Sequence, residues 1–204
     1  MIKNKIKKKI CILKLGVGNY ISIKGRLEKL GYKVKISSNL NFIKESNVLM
    51  IPGVGSSIHM MKEIEKKKLK KYIQKYAKNK NKKIIGLCAG MQILGKFSEE
   101  GNTKCLSLIN SNVKKIKNLK TYQIPNIGFR KIINPKKYFD KSNIFYFNHS
   151  YEMKLNKTNN VESYFIKYLK KKILAMFVYK NIYGIQFHPE RSGENGLKLL
   201  SKIL

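Results

Sequence analysis

The amino-acid sequence predicts an α/β fold in which a mostly parallel central sheet is covered by helices on both faces. In the first half of the chain, short apolar runs alternate with amphipathic stretches, and this alternation is typical of consecutive β-α units. The length of 204 residues predicts a single domain over 1–204, because domains commonly contain about 100–200 residues. A hydrophobic content of 43% supports a packed core.

The first half of the chain contains three predicted strands and two predicted helices. In order they are strand 10–15, helix 20–30, strand 32–36, strand 47–51 and helix 57–78. Gly31 follows the first helix and is its predicted stop signal, because glycine readily adopts the left-handed conformation found at helix C-termini. The lysine-rich run 66–71 falls within the long second helix, where we expect it to form a solvated face.

The second half is predicted to contain several strands followed by a closing helix. The apolar runs interpreted as strands are 124–133, 144–151, 161–168, 173–179 and 182–187. Residues 192–204 carry apolar side chains at the spacing of one helix face, which predicts a helix that packs on the sheet.

The strongly basic composition raises the question of nucleic-acid binding. The formal net charge is +33, and clustered lysines can bind phosphates. Only Arg26, Arg130 and Arg191 among the 44 basic residues are arginines, although arginine is favoured in specific phosphate and base recognition. The lysines are spread over every segment with abundant Asn and Ile, as an A+T-biased coding sequence would produce. We therefore do not predict specific nucleic-acid binding.

The sequence predicts a soluble, cytoplasmic protein with no membrane segment. No apolar stretch approaches the roughly 20 residues that cross a bilayer, and 1–9 lacks the apolar core of a secretory signal. Cys11, Cys88 and Cys105 are too widely spaced for a zinc site or a disulfide framework, which fits a reducing compartment. Cys11 and Cys105 are expected to be small, buried core residues.

Gly16 and Gly18 could begin the dinucleotide-binding pattern G-x-G-x-x-G. Ile21 occupies the place of the third glycine, so the pattern is incomplete. We interpret 16–19 as a structural turn between the first strand and the first helix.

A nucleophile elbow is predicted around Cys88. A short strand at 82–85 enters 86–90, with the sequence Gly-Leu-Cys-Ala-Gly, after which 91–94 can begin a helix. The small residues on both sides permit the sharp strand-to-helix turn that exposes a nucleophile. The turn also places the thiol at the positive end of a helix, where a thiolate and a developing oxyanion are stabilised. A buried structural cysteine is the alternative, and the flanking glycines argue against it.

His188 is the best candidate for the base that a thiol nucleophile requires. The histidines are His59, His149 and His188, and the last ends a predicted strand that could lie beside the elbow. Pro189 can turn Glu190 back onto the imidazole, which completes a Cys-His-Glu triad. A surface turn is the ordinary interpretation of His-Pro-Glu alone, but its combination with the elbow favours catalysis.

These two motifs resemble those of the triad-type, class I glutamine amidotransferases. Further motifs are similar to that family, and within it to the glutaminase subunits of imidazole glycerol phosphate synthase, in order along nearly the whole chain. The matching segments are 16–19, 52–55, 88–92, 125–129, 149–151 and 184–192. The resemblance implies a class I glutamine amidotransferase-like fold and hydrolysis of glutamine to glutamate and ammonia, without a metal or another cofactor.

The resemblance also implies roles for individual residues. The oxyanion hole would be formed by Gly53, Val54 and Ala89, whose N–H groups could face a tetrahedral intermediate. The residues implied to bind glutamine are Gly55, Gln92, His149, Ser150 and Tyr151.

A partner subunit is implied as well. In the resembled enzymes, ammonia passes to a (β/α)8-barrel cyclase subunit that forms imidazole glycerol phosphate and an aminoimidazole carboxamide ribotide in histidine biosynthesis. The implied heterodimer would have Asn126, Phe129, Tyr146 and Arg191 at its interface. Asn126, Phe129 and Arg191 replace the usual His, Trp and Lys of the family, and Lys14 replaces a usual Asp.

Two other functions fit the sequence. A homologous subunit could supply ammonia for the amination of a surface-polysaccharide sugar, because most of the departures lie in segments that face the partner. A basic nucleic-acid-binding protein on an inactive amidotransferase scaffold is the second alternative, since a fold alone does not establish activity. The complete triad argues against the second alternative.

Overall fold

The computed structural model describes residues 8–16, 18–53, 55–117, 124–133, 135–140, 143–156, 160–168 and 170–204. The strands are β1 (Lys9–Leu13), β2 (Lys33–Ser37), β3 (Val48–Gly53), β4 (Lys83–Cys88), β5 (Phe97–Ser98), β6 (Thr103–Lys104), β7 (Ser111–Lys115), β8 (Asn126–Ile133), β9 (Ile144–His149), β10 (Tyr151–Leu155), β11 (Glu162–Tyr168), β12 (Lys171–Tyr179) and β13 (Ile182–Ile185). The helices are α1 (Tyr20–Lys29), α2 (Leu40–Glu45), α3 (Ser57–Lys66), α4 (Lys70–Lys78), α5 (Ala89–Gln92) and α6 (Gly193–Ile203), and a 3-10 turn covers Pro189–Arg191. Within these ranges, no helix has the length and apolar composition of a membrane span.

A nine-stranded mixed sheet in the order β2-β1-β3-β4-β13-β12-β11-β8-β9 forms the centre of the protein. Neighbours from β2 to β13 pair in parallel, as the β-α pattern of the first half predicts. Neighbours from β13 to β9 pair antiparallel, because the second half of the chain supplies consecutive strands instead of strand-helix units. The predicted α/β fold is confirmed, with one parallel and one antiparallel half of the sheet.

Helices cover both faces of this sheet, and the alternation of side chains along the strands explains why. In β1, Ile10 and Ile12 face one side and Cys11 and Leu13 face the other, and all four are at most 2% exposed. The first side packs against α1 and α6, and the second packs against α2, α3 and α4. Strands β1, β3 and β4 are buried on both faces, so their sequences are continuous apolar runs.

A second sheet of four short strands has the order β10-β7-β5-β6. Val113 of β7 and Met153 of β10 pack into the apolar cluster that also contains Leu174 of β12, so this sheet lies on the α2-α3-α4 side. Strands β5 and β6 have two residues each and β7 is mostly polar, which leaves no clear alternation in the sequence. The predicted strand 144–151 is wrong in its extent, because β9 ends at His149 and the following strand joins the second sheet.

The predicted single helix over 57–78 is wrong, because the segment forms two helices, α3 and α4. The N–H of Lys68 bonds to the carbonyl of Glu65 at 2.9 Å, and the N–H of Leu69 bonds to that of Ile64 at 2.9 Å. These two bonds are a Schellman motif, which ends α3. Leu69 is fully buried behind the turn and anchors it to the core.

Lys68 and Gly31 show why one helix end is predictable and the other is not. Both residues follow a helix with positive φ, 53° for Lys68 and 81° for Gly31. Glycine at this position is a recognisable stop signal, whereas lysine is not. The lysine run 66–71 therefore crosses a turn instead of lying on one solvated helix face.

Three glycines allow the backbones of β3, β4 and α5 to approach one another around Cys88. A Cβ at Gly90 would lie 1.8 Å from the carbonyl oxygen of Ile51, and a Cβ at Gly86 would lie 2.6 Å from that of Gly90. Gly53, which pairs with Cys88 across the sheet, would place a Cβ 2.4 Å from the nitrogen of Gly90. The absence of side chains at these positions fixes the start of α5 against the end of β3.

We expect Gly90→Ala to destabilise the protein strongly and Gly25→Ala to stabilise it slightly. The methyl group at residue 90 would overlap the Ile51 carbonyl, and such overpacking costs about 3 kcal/mol of unfolding free energy. Gly25 is exposed in α1 with nothing within 4 Å of the added methyl, so alanine should contribute about 0.5–1 kcal/mol through helix propensity. Urea unfolding measures both changes, and a Gly90→Ala variant as stable as the wild type would contradict the tight contact.

Candidate active site

Cys88 lies at the turn from β4 to α5, where the nucleophile elbow is predicted. It is the last residue of β4 and adopts φ 53° and ψ −115°, a strained combination for a residue with a side chain. Its Sγ lies 3.7 Å from the carbonyl oxygen of Asn148 and 3.8 Å from Nε2 of Gln186. Cys88 is 8% exposed and lines a cleft, so the turn directs this residue towards the cleft.

His188 reaches Cys88 because β13, the strand that precedes it, runs parallel to β4. The two strands remain paired as far as Ile185, so the chain that continues from β13 passes beside the elbow. The imidazole of His188 lines the same cleft as Cys88, close enough for the sulfur to raise the pKa of the ring, and its Nδ1 lies 3.0 Å from Oε1 of Glu190. The structure thus brings the three residues of the predicted triad together.

The turn that carries His188 is held by β9 and by the first β-α loop. The N–H of His188 donates to the carbonyl of Tyr146 at 2.9 Å. The Ser192 hydroxyl donates to the carbonyl of His188 at 2.7 Å and accepts from the N–H of Tyr146 at 3.0 Å. Asn19, which precedes α1, donates from Nδ2 to Oε1 of Glu190 at 3.4 Å. Two separate parts of the chain therefore position the imidazole and its carboxylate.

The pKa of His188 lies well above its ordinary value. Burial of the ring alone would lower this pKa, but hydrogen bonds and charge from Cys88 and Glu190 outweigh the effect of burial. The surroundings therefore favour an imidazolium at neutral pH, held between a sulfur atom and a carboxylate.

A cleft of about 560 Å³ opens above Cys88, within the size range of small-ligand sites. The cleft is lined by most residues predicted for the oxyanion hole and for glutamine binding, namely Gly53, Gly55, Ala89, Gln92, His149, Ser150 and Tyr151. Val54, also predicted for the oxyanion hole, lies outside the described residues. The predicted site residues that the structure describes therefore share one cleft.

Glu100 supplies a carboxylate to the cleft, and no sequence motif predicts it. It lies in a turn after the two-residue strand β5, where the sequence has neither alternation nor a catalytic pattern. Its Oε2 accepts a hydrogen bond from the N–H of Ser57 at 2.6 Å, at the start of α3. The one available signal was charge, because only 11 residues of this basic chain are acidic and Glu99 and Glu100 are adjacent. Asn19 and Ser22 also line the cleft without having been predicted.

His149 contributes to the cleft wall with both ring nitrogens in hydrogen bonds to the protein. Nε2 lies 2.9 Å from Nδ2 of Asn126, and Nδ1 lies 2.8 Å from the carbonyl oxygen of Tyr151. Burial is the largest influence on this ring and lowers the pKa of His149 to about 4. The ring is therefore neutral, with Nδ1–H donating to Tyr151 and Nε2 accepting from Asn126.

Of the residues predicted for a partner interface, Asn126, Phe129 and Tyr146 lie on the β8-β9 pair and Arg191 ends the 3-10 turn beside it, but Asn126 is not at the surface. Phe129 is 57% exposed, and its ring meets that of Tyr146 edge-on with 5.5 Å between centroids. The guanidinium carbon of Arg191 lies 4.2 Å from the centroid of the same tyrosine ring. The Asn126 side chain is fully buried on the inward-facing side of β8, so in the free chain it lies beneath this surface, and its place at an interface stays a prediction.

The alternation that buries Asn126 turns Ile127 outward near one end of the β8-β9 pair, and β9 exposes Ile144 near the other end, opposite Lys131. These two side chains are 51% and 42% exposed. We define the β8-β9 face as the surface formed by Ile127, Phe129, Ile144, Tyr146 and Arg191. Exposed apolar side chains grouped in this way are typical of an interaction surface. Ile127 and Phe129 are two residues apart in one predicted strand, so their side chains share a face. This alternation could have identified Ile127 as a residue of the same surface.

Comparison with known families and proteins gives matches over almost the whole chain. The model of the class-I glutamine amidotransferase family matches residues 14–204. Imidazole glycerol phosphate synthase subunit HisH 2 of Campylobacter jejuni (strain RM1221) is 35% identical over 198 residues, which cover 96% of this chain and 97% of the relative. Imidazole glycerol phosphate synthase subunit HisH of Staphylococcus aureus (strain bovine RF122 / ET3-1) is 34% identical over 195 residues, 96% of either chain.

Solved structures with lower sequence identity share the fold. A crystal structure of a glutamine amidotransferase aligns with a TM-score of 0.75 at 18% identity and covers 95% of this chain and 98% of that chain. The structure of PurLQS from Thermotoga maritima aligns with a TM-score of 0.69 at 20% identity and covers 97% of this chain and 98% of that chain. By its fold, its family match and its relatives, the chain belongs to the class-I glutamine amidotransferases and, within them, to the HisH subunits of imidazole glycerol phosphate synthase.

Proposed function

We propose that this protein hydrolyses glutamine to glutamate and ammonia with Cys88 as the nucleophile, and that it supplies the ammonia to a cyclase subunit in histidine biosynthesis. The observation that carries the proposal is that Cys88 and His188 line one cleft of small-ligand size, with the His188 imidazole bonded to Glu190. A thiol paired with an oriented imidazole is the chemistry of acyl transfer. The names of the HisH relatives support the pathway.

In the first step, the sulfur of Cys88 attacks the side-chain amide carbon of glutamine. The C–N bond breaks as the imidazolium of His188 donates its proton to the departing nitrogen, so ammonia leaves and a thioester remains on Cys88. Water then attacks the thioester carbon as it loses a proton to the neutral imidazole, the C–S bond breaks, and glutamate leaves with the Cys88 thiolate and the His188 imidazolium restored. The raised pKa of His188 suits the first step, because the ring retains the proton until the leaving nitrogen takes it.

Glu190 orients the imidazole and the backbone stabilises the oxyanion. Nδ1–H of His188 donates to Glu190, which leaves Nε2 for the sulfur and the leaving group. Ala89 begins α5 directly after the sulfur, and Gly53 ends β3 opposite Cys88. N–H groups at these two positions can face the tetrahedral intermediate, and Val54 is assigned to the same hole from the resemblance.

Glu100 binds the α-ammonium group of glutamine. Among the described residues that line the cleft it supplies the carboxylate, and a charge-assisted hydrogen bond to an ammonium is the interaction such a group favours. Gly55, Gln92 and Ser150 line the rest of the cleft and contact the remaining polar groups of the substrate. His149 acts indirectly, by holding the carbonyl of Tyr151.

The β8-β9 face docks a (β/α)8-barrel cyclase subunit. It combines exposed Ile127 and Phe129 with Arg191, and aromatic residues and arginine are enriched at the energetically important positions of interfaces. Arg191 also lines the cleft, so a partner on this face lies next to the place where ammonia forms. We place the complex in the cytoplasm, since the cysteines are free thiols as expected in a reducing compartment.

Cys88→Ala should abolish glutamine hydrolysis, whereas Cys105→Ala should retain it. Loss of the nucleophile should lower kcat by about 10⁴-fold or more, while Cys105 is a buried core thiol that does not line the cleft. Glutamate release from glutamine is measured for the wild type and both variants, each alone and mixed with the cyclase subunit encoded in the same genome.

Each outcome of this experiment bears on a different part of the proposal. A wild-type rate that rises when the cyclase is added supports both the chemistry and the partner. Hydrolysis that ignores the cyclase contradicts the partner and favours ammonia supply to a different acceptor, such as a sugar. Equal activity of wild type and Cys88→Ala rejects the nucleophile.

Glu100→Gln should raise the KM for glutamine about 10- to 100-fold with a smaller change in kcat, because a charge-assisted hydrogen bond contributes about 1.5–3 kcal/mol. Glu99→Gln is the matched control, since the side chain of Glu99 is exposed and bonds to the N–H of Lys115 at 2.9 Å. Glutaramate, which is glutamine without its α-amino group, should bind equally to the wild type and Glu100→Gln. A variant that loses affinity for both compounds would show a purely structural role.

The pH dependence of folding should report the neutral state of His149. Its pKa is about 4 in the folded protein against about 6.5 in an unfolded chain, so its contribution is fully present above pH 6.5 and is lost as pH falls towards 4. This difference between the two pKa values corresponds to about 3 kcal/mol of unfolding free energy. His188 has the opposite sign, because its raised pKa stabilises the fold below pH 6.5 and this contribution is lost at alkaline pH.

We therefore expect His149→Gln to lower the unfolding free energy at neutral pH and to flatten its decline between about pH 6.5 and 4. Urea unfolding at several pH values across this range gives the slope of unfolding free energy against pH for the wild type and for the variant. The titration of carboxylates contributes to both slopes and largely cancels in their difference. Identical slopes would contradict a buried neutral ring at residue 149.

A further inference from the structure

Gln186 is a fully buried amide that contacts the nucleophile and has no role in the mechanism above. It lies just after β13, and its N–H bonds to the carbonyl of Ala175 at 2.8 Å. Its side-chain Nε2 points to Sγ of Cys88 at 3.8 Å, and its Oε1 accepts from Nε2 of Gln92 at 3.0 Å. Burial of an amide is unfavourable unless its donors and acceptors are used, so the contact with the sulfur is part of what this position requires.

The orientation of the Gln186 amide is determined by Gln92. Nε2 of Gln92 donates to the carbonyl of Tyr151 at 3.0 Å as well as to Gln186, so its amide cannot turn over without losing both bonds. Because Gln92 donates, Oε1 of Gln186 must be the acceptor, and Nε2 of Gln186 is left to face Cys88. The same Tyr151 carbonyl also accepts from Nδ1 of His149 at 2.8 Å.

The far end of this chain of hydrogen bonds is Arg130. Its Nε donates to Oδ1 of Asn126 at 3.2 Å, which turns Nδ2 of Asn126 towards Nε2 of His149 at 2.9 Å. Arginine can only donate, so Asn126 and His149 each have one possible orientation, and the Tyr151 carbonyl, which can only accept, fixes the orientation of Gln92 in turn. His149 must be neutral to accept from Asn126, in agreement with its lowered pKa.

Arg130 also contacts the backbone of the β8-β9 face. Its two terminal nitrogens donate to the carbonyls of Phe129 at 3.0 Å and Ile127 at 2.9 Å. The side chains of both residues are exposed on that face. One continuous series of hydrogen bonds therefore connects the proposed docking surface with the sulfur of Cys88.

We propose that Gln186 sets the reactivity of Cys88 by donating its amide N–H to the ionised sulfur, and that the series of hydrogen bonds from Arg130 holds this amide in place. The inference rests on the proposed function and deepens it, because it gives the nucleophile a second support besides His188. A protonated Cys88 can donate to the carbonyl of Asn148, whereas an ionised sulfur needs donors, and Gln186 supplies one.

The test measures the reactivity of Cys88 separately from glutamine hydrolysis. Alkylation by iodoacetamide follows the ionised sulfur and requires neither glutamine nor an oxyanion hole. Gln186→Met keeps the side-chain length but removes the donor, and Gln186→Glu keeps the shape but replaces the donor with a carboxylate. Gln74→Met is the matched control, because Gln74 bonds to the carbonyl of Leu106 and does not line the cleft.

We expect Gln186→Met to slow alkylation of Cys88 near neutral pH about 10-fold, and Gln186→Glu about 100-fold. The kcat for glutamine should fall by similar factors while KM stays within about twofold. Arg130→Met, at the far end of the series, should slow alkylation about two- to fivefold, and Gln74→Met should match the wild type.

Mass spectrometry of the adducts separates these effects from misfolding. An unfolded variant would expose the buried thiols of Cys11 and Cys105, so it would gain adducts there and react faster. Equal alkylation rates in the wild type and both Gln186 variants would overturn the proposal. The wild type could also fail to hydrolyse glutamine, with or without the cyclase, while both Gln186 variants are still alkylated more slowly than the wild type. That result would uphold the contact with the sulfur and reject the proposed function.

Discussion

The contact between the backbones at Gly53, Gly86 and Gly90 determines where chemistry can occur in this protein. Since none of these residues has a Cβ, α5 can begin directly against the end of β3, and Cys88 must make the turn with a positive φ. Every other part of the site is arranged around that turn. Strand β13 brings His188 because it pairs with β4, and β3 ends beside the sulfur because its last residue pairs with Cys88.

Two buried histidines in the same cleft have opposite protonation states because their neighbours differ. His188 faces a sulfur and a carboxylate, which accept protons, so its charge is favoured in spite of burial. His149 faces an amide donor and a carbonyl, which are satisfied by a neutral ring, so burial prevails. The hydrogen-bond partners thus make His188 a cation suited to proton donation and His149 a neutral structural ring.

The parts of the fold and site that could be predicted are those whose signal is local in the sequence. The elbow, the His-Pro-Glu turn and the glycine after α1 each depend on a few adjacent residues with distinctive conformational preferences. The burial of Asn126, the position of Glu100 in the cleft and the contact of Gln186 with the sulfur depend on strands that are distant in the chain. The end of α3 is local, but a lysine occupies the position where glycine would have marked it.

The β9 strand ends the large sheet, yet its outer edge is unavailable to another strand. The carbonyl of Ile144 accepts from Asn195, the N–H and carbonyl of Tyr146 bond to Ser192 and His188, and the carbonyl of Asn148 accepts from Cys88. A partner therefore cannot extend the sheet by β-augmentation here, and sheet-to-sheet aggregation through this edge is blocked as well. Recognition must rely on side chains, so one or two substitutions on the surface can change the choice of partner while the catalytic turn stays intact.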